Sequence, residues 1–79
     1  MEPYQERVIE EKKALDEKIK KLRDFAGTGP FLKLSPAHQT LLIQQEATMG
    51  NYSNILAARV KLFEKEAAEQ EDEPGNIPG

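Results

Sequence analysis

Two series of apolar residues at helical spacing, separated by one Gly- and Pro-containing stretch, limit this chain to helices folded back on each other. Val8, Leu15, Ile19, Leu22 and Phe25 recur along the first segment. Leu42, Met49, Tyr52, Leu56 and Phe63 recur along the second, with Gln45 and Arg59 filling the gaps of the heptad. Such seams are what two helices bury against each other. Between them lies Ala-Gly-Thr-Gly-Pro, where Gly27 suits a helix C-terminus and Pro30 forbids continuation. A connection this short favours antiparallel neighbours. The expected fold is therefore all-α: an antiparallel two-helix hairpin.

Local signals set the expected bounds. The first helix spans Pro3 to Ala26, with Pro3 in the favoured first turn. Glu2 and Glu6 sit near its positive end, and Lys18, Lys20, Lys21 and Arg23 near its negative end. Phe31, Leu32 and Leu34 form a short irregular segment expected to close over the end of the hairpin as a lid. Ser35 is a good N-cap and Pro36 starts the second helix, which is expected to end near Ala68. Gly50 is its weak point, costing about 1 kcal/mol against alanine. The sequence divides into a helical hairpin domain over residues 1–68 and an acidic, Pro/Gly-rich tail over residues 69–79, expected to be disordered.

A hairpin of this size is short of core. The chain has 79 residues, no cysteine for a disulfide and one histidine, too few for a structural zinc site. Association with further copies is the remaining common route to stability. The second helix carries the means: Leu41, Thr48, Ile55 and Leu62 repeat every seven residues one position before the main seam, with Ala58 on the same face. Thr48 is the imperfect member, though its methyl can pack and its hydroxyl can bond back to the Gln44 carbonyl. The arc is wider than one partner helix covers, and an uncovered apolar patch marks a protein interface. These four residues are the expected homo-oligomer interface.

The net charge of −3 is concentrated in the tail: without Glu69, Glu71, Asp72 and Glu73 the chain holds 11 bases against 10 acids. No clustered basic face suggests DNA binding. There is no apolar run of membrane-spanning length, and the charged N-terminus lacks the apolar core of a signal peptide. A cytoplasmic location is the expectation. No catalytic motif, metal-ligand spacing or cofactor signature is present; Gly-Thr-Gly-Pro follows a helix and lacks the Lys-Ser/Thr of a phosphate loop. The chain reads as a non-enzyme.

Arg59 stands out because an apolar residue is expected at its seam position. Charges gather at the open end of the hairpin, where Arg59 faces the first turns of the first helix. One reading is a register-setting ion pair of Arg59 with Glu6 or Glu11, with Lys12 reaching solvent. The other is a cationic site, Arg59 with Arg7 or Lys12, that takes an anionic ligand. The pattern alone leans to the ion pair. Tyr4, one turn before Arg7, is either an amphipathic anchor or a surface on which a nucleobase stacks. Tyr52 is expected in the core, and His38 in a cap region.

The run YQERVIEEKKALDEKIKKLRDF, the FLKL segment and LLIQQEATMGNYSNILAARVKLF together resemble the anti-CBASS and anti-Thoeris sponge helical-hairpin family, small phage proteins that include many from crAss-like phages. The resemblance covers about residues 4–64 through diffuse features: helical spacing, a YxxRV start and a YSxILxxR element. It implies a symmetric homo-oligomer that sequesters cyclic oligonucleotide or cyclic ADP-ribose-type immune signals in the host cell cytoplasm without cleaving them. The positions matching the family's base- and phosphate-contacting residues are Tyr4, Arg7, Lys12 (or Lys13) and Arg59. The alternative function is a helical protein–protein interaction module with no small-molecule ligand.

Overall fold

The computed structural model describes the backbone of residues 1–76 and the side-chain surroundings of residues 1–69. It is helical throughout: α1 spans Pro3–Ala26, α2 is a single turn over Gly29–Leu32, and α3 spans Pro36–Asn76. The first helix opens as its sequence dictates, with Pro3 in the first turn and the Glu2 backbone N–H donating to Gln5 Oε1 at 2.8 Å. Gly27 ends it at φ −91°, so the left-handed conformation that favours glycine is not used there.

The connection corrects one expectation. Instead of an irregular lid, α2 is a helical turn fastened at both ends. The Thr28 hydroxyl donates to the Phe25 carbonyl at 2.6 Å, and Gln39 Nε2 reaches back from α3 to the Leu34 carbonyl at 2.9 Å. Phe31 is the buried plug, meeting Phe25 edge to face at 5.9 Å. Ser35 caps α3 by accepting the His38 backbone N–H at 3.1 Å.

α3 also runs further than expected. It does not end near Ala68 but continues to Asn76, and residues 64–73 are mostly glutamate, alanine, lysine and glutamine, which are good helix formers. Residues 77–79 of the expected tail lie outside the described residues. At 1.5 Å per residue, α3 is about 62 Å long against about 36 Å for α1, so part of α3 has no α1 beside it. The molecule measures 68 × 17 × 16 Å, with a radius of gyration of 19.1 Å. A compact chain of this length would have one near 12 Å. The shape leaves little interior.

That interior is a single thin seam. Val8, Leu56 and Phe63 form its centre, with Leu15 and Val60 packed against them, and Ile19 is buried further along α1. Cross-helix contacts run antiparallel: Tyr4 to Phe63, Asp16 to Ser53 and Arg23 to Glu46. Tyr52, expected in the core, is 42% exposed, whereas Ser53 beside it is buried. The seam is rotated by one position there, so that Ser53 faces α1 and Tyr52 lies on the flank.

Candidate functional site

The two edges of the seam differ in chemistry. On one edge Ser53 is buried, and its hydroxyl donates to Asp16 Oδ1. Asp16 Oδ2 takes the Lys12 ammonium at 2.6 Å, one helical turn away. The Lys12 hydrogen bond, then that of Ser53, hold the Asp16 carboxyl below the ordinary aspartate value, against a smaller opposing effect of burial. Arg23 and Glu46 close the same edge with an ion pair. These groups satisfy one another and set the register of α1 on α3.

On the other edge the charges are not so consumed. The ring of Phe63 carries two neighbours. Tyr4, from the first turn of α1, meets it edge to face at 5.6 Å, and the Arg59 guanidinium lies over it at 5.9 Å. Arg59 has no ion pair among the described residues. The expected pairing with Glu6 or Glu11 is therefore corrected. Glu11 instead accepts the Tyr52 hydroxyl, and this bond, followed by burial, pushes the phenol above its ordinary pKa, with Arg59 pulling the other way. Arg7, exposed one turn after Tyr4, shares this end of α1. A guanidinium resting on an aromatic face with its donors free is well suited to an anion.

Of the four residues picked out by sequence, the structure brings Tyr4 and Arg59 together on Phe63 and leaves Arg7 one turn along. It does not bring Lys12 to them, since Asp16 holds that ammonium on the opposite edge. Phe63 and Tyr52 were read only as core, and no single-sequence signal distinguishes an apolar seam residue from a platform. A cleft of about 610 Å³ opens beside Tyr4 and Phe63, and Glu2, Glu66 and Glu69 line it. Its acids disfavour an anion within that cleft.

The apolar stripe on α3 is uncovered. Leu41 is 63%, Ile55 57% and Leu62 53% exposed, and Thr48 is exposed between them. α2 does not cover it, for Leu32 is itself exposed. Arg59 and Tyr52 fall on the same side of α3 as this stripe, by helical spacing. Among the described residues no group of acids and histidines is placed to hold a metal ion, and no helix is long and apolar enough to cross a membrane.

Residues 2–62 match the Sequestin family model. The chain belongs to the Sequestin family. The match takes in α1, α2 and most of α3, and includes Tyr4, Arg7 and Arg59. Sequestins are phage anti-CBASS and anti-Thoeris sponge proteins, the family that the sequence resembles. Membership implies sequestration of immune signals by a binding protein rather than turnover by an enzyme. No curated protein and no solved structure matches the chain.

Proposed function

We propose that this sequestin is a phage anti-defence sponge that captures cyclic nucleotide immune signals in the host cytoplasm and holds them without cleavage. Cyclic di- and trinucleotides, or cyclic ADP-ribose-type molecules, are the ligand class. Arg59 carries the reading: it rests on Phe63 beside Tyr4, belongs to no ion pair among the described residues, and lies within the family match. In this account Arg59 and Arg7 hold phosphodiester oxygens, and Tyr4 offers its exposed ring to a base. Lys12, engaged by Asp16, is set aside. Capture needs no general acid or base.

Self-association completes the proposal. The stripe of Leu41, Thr48, Ile55 and Leu62 packs against a second copy. Because Arg59 shares that side of α3, two copies can each supply part of one pocket. The same exposed stripe also supports the second reading, a protein-interaction module without a small ligand. A thermal-shift screen with cyclic di- and trinucleotides separates them. A sponge gains about 2.7 kcal/mol of apparent stability at a hundredfold excess over its dissociation constant. No shift with any cyclic nucleotide would favour the interaction module.

A further inference from the structure

We propose that Tyr52 is a positioning residue that keeps the site's arginines available to an anion by occupying Glu11; the proposal rests on the reading of Arg59 as a ligand cation. The register of the hairpin poses the problem. Tyr4 meets Phe63, and Asp16 meets Ser53. Interpolated between these pairs, Glu11 lies beside residues 56–58, with Tyr52 about one turn away in one direction along α3 and Arg59 less than a turn away in the other. Arg7 stands one turn before it on α1 itself, at the i, i+4 spacing at which opposite charges pair. A carboxylate so placed is a natural partner for either arginine, and such a pair would remove the cation that the ligand needs.

The structure resolves the competition in favour of the phenol. The Tyr52 hydroxyl donates to Glu11 Oε2, while the Arg59 guanidinium lies over the Phe63 ring and Arg7 forms no ion pair among the described residues. A carboxylate that already accepts a hydroxyl proton is a poorer partner for a guanidinium than a bare one, because one of its oxygens is taken and the two-bond fork is blocked. Tyr52 achieves this from a flank position, with its ring partly exposed. The hydroxyl is thus separable from the packing of the seam.

Tyr52→Phe removes the hydroxyl and keeps the ring. The freed Glu11 carboxylate then turns to Arg59 or Arg7. Two measurements test this. In the protein alone, NMR follows the arginine Nε–H signals while the Glu11 carboxyl is titrated. In Tyr52→Phe, the signal of Arg59 or Arg7 should come to track Glu11 protonation, and in Tyr52→Phe/Glu11→Gln it should return to its wild-type position. With cyclic di-AMP and cyclic tri-AMP as probes, calorimetry should show affinity falling about two- to fivefold in Tyr52→Phe. That is the scale of an exposed ion pair which the ligand then has to break. Glu11→Gln in the same chain should restore it. Arginine signals that ignore Glu11 in Tyr52→Phe would overturn the proposal, as would an affinity loss that Glu11→Gln does not rescue. If neither nucleotide binds the wild-type protein, those two are excluded as its ligands, and the NMR titration still decides whether Tyr52 holds Glu11 away from the arginines.

Discussion

Ile55 and Leu56 are adjacent in sequence and opposite in consequence. Leu56 is 0% exposed at the centre of the seam, whereas Ile55 is 57% exposed on the α3 stripe. Leu56→Ala removes a buried side chain from a core with few others, and such substitutions cost about 2–5 kcal/mol. For a domain of 60–100 residues each kcal/mol lowers Tm by about 4–8 °C, so a fall of at least about 8 °C is expected. Ile55 lies outside the buried cluster of the seam. In an isolated chain Ile55→Glu should move stability by no more than about 0.5 kcal/mol, as surface changes do. If the stripe packs against a second copy, the same change places an unpaired charge in an apolar contact and dissociates the assembly. Light scattering coupled to size exclusion reads the mass, and urea melts at several protein concentrations read the stability. The wild type should be a multiple of the 8.9 kDa chain, with a concentration-dependent midpoint. Ile55→Glu should be a single chain that is still helical. A wild type that runs as one chain, or an Ile55→Glu variant with unchanged mass, would refute the interface. A Leu56→Ala variant as stable as wild type would refute the seam itself.

Three further outcomes follow from the geometry. A Cβ added at Gly50 meets nothing within 4 Å, so Gly50→Ala should stabilise α3 by about 1 kcal/mol; a loss of stability in urea melts would show that another copy packs on that surface. Asp16 has a folded-state pKa below its ordinary value of about 4, so its stabilisation is present above that value and fades as pH falls through the lowered one; Asp16→Asn should flatten this acid limb in melts between about pH 2 and 5, and an unchanged limb would contradict the assignment. Truncation after Ala68 should leave helicity per residue and assembly mass intact, since α1 starts at Pro3 with Tyr4 already on Phe63, and the antiparallel register therefore puts no turn of α1 beside α3 past Ala68; a large drop in Tm would show that residues 69–79 contribute to the fold.

The helical class and the residues at the centre of the seam were legible because they follow from spacing. Val8, Ile19, Leu56 and Phe63 were read from period alone and are all buried. What period does not convey is rotation. α3 carries two apolar stripes one residue apart, Leu42–Leu56–Phe63 and Leu41–Ile55–Leu62, and a small turn of the helix decides which flank residue faces α1. Hence Tyr52, which spacing puts inside, lies on the flank, and the buried residue is Ser53 beside it. The juxtaposition of Tyr4 and Arg59 follows from spacing as well. Tyr4 and Arg59 came together because the antiparallel register brings the start of α1 to that part of α3. Period does not tell which edge each of two adjacent helix residues takes: Lys12 lies toward Asp16 and Glu11 toward Tyr52. The end of α3 was missed because Glu69–Glu73 reads as an acidic tail by composition, yet is made largely of good helix formers.

The central claim is capture of an intact cyclic nucleotide through Arg59, and titration calorimetry followed by ligand recovery tests it most directly. The protein is titrated with cyclic di- and trinucleotides and with a cyclic ADP-ribose, then heat-denatured, and the released ligand is identified by chromatography. The account predicts saturable binding of at least one of these and recovery of the unaltered molecule. Arg59→Lys keeps the charge but loses the planar fork, and should bind at least about tenfold more weakly, the loss of roughly 1.5–3 kcal/mol expected for a hydrogen bond to a charged group, with little change in Tm. Binding undiminished in Arg59→Lys, a cleaved product after release, or no heat with any of the ligands would contradict it.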